Sequence, residues 1–160
     1  MKLLAIDPGY ERVGIAIIEK ENKGKENLVY SECFKTDAKL PFIERLLALG
    51  TEIARVIKKY KPDGLAIEKL YMTTNQKTAM QVAEARGVTI YEASKLGLPI
   101  YEYTPMEIKV AVTGYGKATK DDVFFMVKKL IELPDSRKII DDEIDAIAVG
   151  LTCFACQKFK

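Results

Sequence analysis

The first twenty residues, MKLLAIDPGYERVGIAIIEK, constrain the fold more than any other part of the chain. Residues 3–6 are a short aliphatic run, Asp7-Pro8-Gly9 is a strong turn sequence, and residues 13–18 are a second apolar run. This pattern predicts a β-hairpin whose first strand is buried. Asp7 follows the last apolar residue of that strand, so its carboxylate is expected at the rim of the sheet. Aspartate before Pro-Gly is also common for purely conformational reasons, so Asp7 alone does not define a functional site.

The length of the chain and its cysteine content set its general class. At 160 residues, the chain is expected to form one domain (1–160) with a core that needs no disulfides. Three cysteines, together with no recognisable signal peptide or membrane-spanning run, favour a reducing cytoplasm and predict no membrane partner.

The absence of histidine restricts the chemistry further. Histidine is the usual general base, the usual partner of serine and cysteine nucleophiles, and the commonest transition-metal ligand. An enzyme of this composition must therefore use carboxylates, lysines and hard cations. Because the net charge is only +2, a surface that binds nucleic acid would have to be a local patch.

The remaining pattern predicts an α/β fold. Strands are expected at 28–36, 64–70 and 99–103, and helices at 41–60, 77–96, 104–112, 121–133 and 141–155. Thr104 and Thr119 are expected to cap the helices that follow them. Three consecutive antiparallel strands, followed by two strands that each come after a helix, predict a five-stranded mixed sheet flanked by helices.

Further carboxylates lie at the ends of these elements. Glu68 interrupts the apolar strand at 64–70 near its carboxyl end, where burial is costly unless the charge is paired or coordinated. Asp142 and Asp145 are three residues apart in the first turns of the last helix and share a face. Two alternative interpretations remain. Glu68 could face the edge of a half-exposed strand, and the two aspartates could be present only because negative charge is favourable at the positive end of the helix dipole.

Four oxygen ligands without histidine or thiolate favour Mg²⁺ or Mn²⁺. Asp7 and Glu68 become neighbours if their strands pair in parallel, and the final helix would then bring Asp142 and Asp145 to the same point. Two such ions about 4 Å apart are a known arrangement for the attack of water on a phosphodiester. The pattern therefore indicates metal-dependent phosphodiester hydrolysis.

Five segments, in this order, resemble the RuvC family of Holliday junction resolvases: AIDPG with the following Gly14, AIEKLY, EARGV, TGYGKATKDDV and DDEIDAIAVG. The resemblance spans essentially the whole chain. It implies a ribonuclease H-like fold, a homodimer, and Mg²⁺-dependent nicking of two strands of four-way junction DNA. It also implies the RuvA and RuvB branch-migration proteins as partners.

Residue roles follow from the resemblance by position. Asp7, Glu68, Asp142 and Asp145 match the catalytic, metal-binding carboxylates, although some relatives have histidine at the position of Asp142. Lys109 and Lys120 match lysines that assist the scissile phosphate. Contacts with nucleic acid are expected from these two lysines and from three further residues: Tyr71, Arg86 and Lys117.

Three other functions fit parts of the pattern. A ribosomal RNA processing nuclease of the YqgF type would share the metal chemistry but not the dimeric grip on a junction. An ATP phosphotransferase of the actin and sugar kinase class is suggested by the spacing of Asp7, Gly9 and Gly14, but such enzymes bind nucleotide between two domains of this kind. A non-catalytic junction-binding module would use the acids for structure alone.

Overall fold

The computed structural model describes residues 1–21, 24–70, 76–134 and 137–159. The strands are β1 (Lys2–Asp7), β2 (Arg12–Lys20), β3 (Glu26–Lys35), β4 (Gly64–Glu68) and β5 (Ile100–Tyr103). The helices are α1 (Phe42–Tyr60), α2 (Gln76–Lys95), α3 (Pro105–Thr113), α4 (Lys120–Leu130) and α5 (Asp141–Cys156). Among these residues, no helix is long and apolar enough to cross a membrane.

The five strands form one mixed sheet in the order β3-β2-β1-β4-β5. The predicted hairpin is confirmed, since β1 and β2 pair antiparallel, and β3 continues the antiparallel part. The predicted parallel pairing of β1 with β4 is also confirmed, with Ile6 opposite Ile67. β5 extends the parallel part, so the predicted five-stranded mixed sheet flanked by helices is correct.

Alternation along the strands gives the sheet two different faces. One face carries large aliphatic side chains and packs against α1 and α2: Leu4, Ile6, Ile15, Ile17, Leu65 and Ile67. The central strands present small side chains to the other face: Ala5, Ala16 and Ala66. This second face is covered by α5, with α3 and α4 beside it.

Two glycines allow α5 to lie close to the sheet. A Cβ on Gly14 of β2 would lie 1.9 Å from the backbone oxygen of Asp142, and one on Gly150 of α5 would lie 2.6 Å from Ile18 Cδ1. Gly14 therefore fits the first turn of α5 against the hairpin, and Gly150 fits its middle against β1 and β2.

Some predicted boundaries were wrong. β3 begins at Glu26 instead of residue 28, and a 2.6 Å ion pair between Lys20 and Glu26 joins the adjacent ends of β2 and β3. α4 ends at Leu130 instead of residue 133. The predicted capping residues are correct, since the Thr104 and Thr119 side chains accept hydrogen bonds from the backbone N–H groups of Glu107 and Asp122.

Candidate active site

Two carboxylates reach the same face of the sheet from neighbouring parallel strands. Asp7 has the same alternation phase as Ala5 in β1, and Glu68 has the same phase as Ala66 in β4, so both side chains point towards the α5 side. Each follows directly after the paired residues Ile6 and Ile67. They are therefore adjacent at the carboxyl edge of the two central parallel strands, where sites form in open α/β sheets.

Helix α5 supplies a third carboxylate, Asp145, to the same place. A pocket of about 240 Å³ opens between the sheet edge, α3, α4 and α5. Its lining combines three carboxylates and two lysines with apolar side chains: Asp7, Glu68, Pro105, Ile108, Lys109, Lys120, Val123, Asp145 and Ala148. Five of the predicted site residues are thus brought together on one pocket.

The carboxylates of this pocket are buried close to one another. Burial, followed by the negative charges of Asp145, Glu68 and Asp142, raises the pKa of Asp7 well above its ordinary value of 3.8. Burial and the charge of Asp145 raise the pKa of Glu68, partly offset by its hydrogen bond with Asp7. Burial also raises the pKa of Asp145. The pocket consequently favours binding of protons or cations, either of which neutralises this charge.

The two predicted phosphate-assisting lysines line the pocket from different helices, Lys109 from α3 and Lys120 from the start of α4. Lys120 Nζ is 3.3 Å from Asp145 Oδ2, and the attraction of Asp145 raises the pKa of this lysine. Lys109 is half-buried on α3. Because Lys120 is largely exposed, its ammonium group can reach an anion at the pocket mouth as well as Asp145.

Asp142 lies beside the pocket but does not line it. Its carboxylate is ion-paired with the guanidinium of Arg12, which follows the hairpin turn. Asp142 is still near enough for its charge to raise the pKa of Asp7. Sequence reasoning missed Arg12, because the two partners are 130 residues apart in the chain.

The predicted DNA-contacting residues lie in different surroundings. Arg86 Nε donates a 3.0 Å hydrogen bond to the backbone oxygen of Glu68, and its Nη2 is ion-paired with Glu102. Arg86 thus braces the end of β4 from α2. Lys117 is exposed in the segment between α3 and α4. Tyr71 lies outside the described residues, so its role stays a prediction.

A second group of charged residues behind α5 was not predicted. Glu143, between Asp142 and Asp145 on the helix, is 2% exposed and hydrogen-bonded to Ser31 and Arg137. Burial would raise the pKa of Glu143, but the hydrogen bonds from Arg137 and Ser31 hold it below its ordinary value. One feature of the sequence could have pointed to this group. Ile140 stands before the helix, at a position where a capping side chain is usual, and its aliphatic side chain cannot cap.

The carboxylate oxygens of the pocket are suitable ligands for a hard divalent cation, but they are not already arranged around one ion. Asp7, Glu68 and Asp145 offer oxygen ligands, with charge that is poorly compensated by the pocket lysines. Within the described ranges, no three Asp, Glu, Cys or His side chains are already grouped closely enough to hold an ion. Binding would therefore require the carboxylates to turn towards the ion.

The arrangement of strands and carboxylates defines the class of protein. A mixed sheet in this order, with carboxylates on its two central parallel strands and a helix across them, is the ribonuclease H-like fold, which the matched solved structures share. Residues 3–153 match the family model described as crossover junction endodeoxyribonuclease RuvC. The chain belongs to this family.

Relatives and solved structures agree with that assignment. The crossover junction endodeoxyribonuclease RuvC of Halothermothrix orenii is 42% identical over 151 residues, covering 94% of this chain and 90% of the relative. The Thermosipho melanesiensis protein of the same name is 41% identical over 150 residues and covers 94% of each chain.

Among solved structures, Thermus thermophilus RuvC matches with a TM-score of 0.87 and 30% identity, covering 97% of this chain and 94% of that one. T. thermophilus RuvC in complex with a Holliday junction substrate matches with a TM-score of 0.86 and 29% identity, covering 95% and 92%. The yeast mitochondrial resolvase Ydc2, 15% identical with a TM-score of 0.68, covers 96% of this chain and 77% of that chain and shares the fold.

Proposed function

We propose that this chain is an endodeoxyribonuclease that resolves Holliday junctions by paired nicks in recombination and repair. Family membership and the likeness to a RuvC structure that holds a junction support this activity. The observation that carries it is the convergence of Asp7, Glu68 and Asp145 with two lysines on one pocket. Sites of this composition suit the hydrolysis of phosphodiesters, whose charge needs both cations and lysines.

The cofactor we propose is Mg²⁺, two ions per site, with Mn²⁺ able to substitute. Asp7, Glu68 and Asp145 would hold the ions, with Asp142 as a fourth ligand once it leaves Arg12. When bound, the ions supply an acidified attacking water and neutralise charge on the leaving oxygen. The raised pKa values of the three pocket carboxylates support this assignment, since a cation relieves their mutual repulsion.

The lysines and the surrounding basic residues would hold the DNA. Lys120, 3.3 Å from Asp145, would bind the scissile phosphate and stabilise the charge that develops on it, together with Lys109 on the same pocket. Lys117 would bind a neighbouring phosphate, as an exposed lysine of the same segment. Arg86 and Tyr71 are assigned to the junction by family resemblance alone.

We further propose a homodimer in which α2 meets the α2 of a second copy. Large apolar side chains stand on its exposed side, Met80 at 66% and Tyr91 at 63% exposure, with Ala83 and Gly87 between them at helical spacing. Ala85 of the same helix is not part of this surface, because it is buried against its own sheet. A two-fold dimer matches a four-way junction, which must be nicked at two symmetric positions.

The oligomeric state in solution distinguishes between two candidate functions. A ribosomal RNA processing nuclease of the YqgF type would share the fold and pocket, and a monomer in solution would favour it. The exposed apolar side of α2 favours the dimeric resolvase instead. Cooperation with RuvA and RuvB, a single 1–160 domain and a cytoplasmic location complete the proposal, and all three rest on the family resemblance and composition.

A synthetic four-way junction, with a linear duplex of the same sequence as control, tests the proposed function. We expect symmetric nicks in the junction with Mg²⁺ or Mn²⁺, no cutting with EDTA, and loss of cutting in Glu68→Gln. The active species should sediment as a dimer. Cutting of RNA with no cutting of the junction, or junction binding without any cutting, would contradict the proposal.

A further inference from the structure

The first turn of α5 differs from the starts of the two preceding helices. α3 and α4 each begin with a threonine whose side chain caps the helix. α5 begins after Ile140, whose aliphatic side chain accepts no hydrogen bond. Helix starts without a capping side chain fray readily, because their first N–H groups lack partners. Yet this uncapped turn carries Asp142 and leads directly to Asp145.

A network of hydrogen bonds around the buried Glu143 holds this turn in the absence of a capping side chain. The guanidinium of Arg137 grips Glu143 through two nitrogens, with Nη1 2.8 Å from Oε1 and Nη2 2.6 Å from Oε2. Ser31 Oγ donates to Glu143 Oε2 at 2.6 Å. The backbone N–H of Ile140 donates to Glu143 Oε1 at 3.3 Å. Glu143 therefore accepts four hydrogen bonds from three residues, one in β3 and two in the segment before α5.

The same network is tied to β3. Arg137 Nη2 donates to the backbone oxygen of Ser31 at 2.8 Å and contacts its Oγ at 3.0 Å. Ser31 is paired with Ala16 in the sheet, so its position is fixed by the strand ladder. We call the three side chains of Ser31, Arg137 and Glu143 the β3 anchor.

Helix geometry connects the β3 anchor to the pocket. Successive residues of a helix are about 100° apart, so Asp142 and Asp145 stand within about 60° of each other, while Glu143 points away from Asp145. The β3 anchor holds the back of the turn, and Gly14 accepts the backbone of Asp142 from the hairpin side. Any rotation of this turn would move both aspartates together.

We propose that the β3 anchor is a positioning device, which fixes the orientation of Asp142 and Asp145 for divalent cation binding in the endonuclease proposed above. None of its three side chains lines the pocket. It acts through the turn that carries the ligands. Changes to groups that orient metal ligands cost about 10–100-fold in metal affinity or activity.

The competing role is purely structural, since leaving the buried charge of Glu143 without its partner also destabilises the protein. Metal affinity separates the two roles. A structural group lowers the unfolding midpoint but leaves Mn²⁺ affinity unchanged in the molecules that remain folded. A positioning group weakens Mn²⁺ binding well below the unfolding temperature, and lowers kcat more than it changes junction affinity.

The test compares Arg137→Lys and Ser31→Ala, which keep Glu143, with Glu143→Gln. Arg55→Lys is the matched control, because Arg55 also holds a glutamate through two nitrogens, with Nε and Nη2 bonded to Glu52, on the helix that packs against the opposite face of the sheet from α5. Mn²⁺ binding is measured by electron paramagnetic resonance on the full chain at 20 °C below each midpoint. Junction binding in Ca²⁺ and single-turnover cleavage in Mg²⁺ are measured in parallel.

We expect Arg137→Lys to weaken Mn²⁺ binding and slow cleavage by about tenfold, with junction affinity unchanged and the Arg55→Lys control like wild type. If Glu143→Gln does not fold, the two milder variants decide. Wild-type Mn²⁺ affinity in both of them would overturn the positioning role. A wild-type protein that binds Mn²⁺ but leaves the junction intact would instead refute the proposed function, while the Mn²⁺ titration would still test the β3 anchor.

Discussion

The two faces of the sheet are built from side chains of different size. Towards α1 and α2, the central strands carry leucine and isoleucine, and the interface is filled by large aliphatic groups. Towards α5, the same strands carry Leu3 and Ile18 at the end far from Asp7 but alanine in the middle, and glycines at 14 and 150 remove even the Cβ where the helix comes closest. The sequence alternation that makes one face bulky makes the other face thin.

This difference explains where a site can form. Side chains of aspartate are short, so a carboxylate on α5 can approach those on β1 and β4 only if helix and sheet are in close contact. The small residues provide that contact, and Asp7, Glu68 and Asp145 all lie on the thin face. The bulky face contributes to stability. The outer side of α2, which covers part of it, is the surface that we propose to contact a second copy.

Gly14→Ala should have the largest effect, because its new Cβ would lie 1.9 Å from a backbone oxygen that cannot move without shifting α5. We expect a loss of about 3 kcal/mol in the free energy of unfolding, measured in urea, together with loss of cleavage. Gly24→Ala is the control, since its Cβ would make only ordinary contacts with Glu21, 3.7 Å away. That variant should have the stability of wild type. Equal stability of the two variants would show that the hairpin and α5 are not in close contact.

Ala66 and Ile67, adjacent in β4 and facing opposite sides, give the next comparison. Ala66→Val should cost about 1–3 kcal/mol by overpacking the thin face, and should slow cleavage by displacing α5. Ile67→Val should cost about 0.5–1.5 kcal/mol through a lost methylene, with cleavage unchanged. Urea unfolding and single-turnover cleavage measure both effects. Slower cleavage in Ile67→Val than in Ala66→Val would contradict the division between the faces.

How much of the fold and of the site the sequence alone predicts depends on whether the interactions follow from local patterns or join distant segments of the chain. Asp7 and Glu68 could be placed as neighbours because strand alternation and parallel pairing both follow from local patterns. Asp145 could be placed near them because the run after it is apolar. Ion pairs between distant segments leave no such pattern, which is why Asp142 was expected in the pocket although it is paired with Arg12.

Helix faces were predicted less well where apolar residues are adjacent. On α4, the sequence pattern predicts a core face of Phe124, Val127, Leu130 and Ile131. Val127 and Ile131 are buried as predicted, whereas Phe124 is only partly buried against the core and Leu130 is exposed. Lysines lie over the aromatic rings of this helix, with Lys128 Nζ 4.3 Å from the centre of the Phe124 ring, so these rings remain partly exposed under charged side chains. Hydrophobicity alone does not distinguish a ring covered in this way from a core residue.

The smallest expected effect is the pH dependence of stability that arises from the buried carboxylates of the thin face. Because the pKa of Asp7 is raised in the folded state, the folded protein binds its proton more tightly than the unfolded chain does. Stability therefore falls as the pH rises from 3.8 through the raised pKa. Without divalent cations, Asp7→Asn should melt above wild type at pH 7.5, and this difference should shrink as the pH is lowered towards 3.8.

The exposed Asp122 provides a comparison of opposite sign. Hydrogen bonds from Thr119 lower the pKa of Asp122, so its contribution to stability is present above pH 3.8 and is lost as the pH falls through the lowered value. Asp122→Asn should therefore melt below wild type at pH 7.5. Thermal melts across pH check both variants. An Asp7→Asn variant that melts below wild type at neutral pH would contradict the raised pKa of Asp7.

Single-turnover cleavage of a four-way junction by Asp7→Asn, with saturating Mg²⁺ and a parallel measurement of junction binding, tests the central claim most directly. The amide keeps the size of the side chain but removes the charge that would hold the cation. We expect cleavage to be abolished while junction affinity is equal to or higher than that of wild type, because removing negative charge near phosphates does not weaken their attraction. Cleavage at a rate near that of wild type would show that the thin face is not the active site.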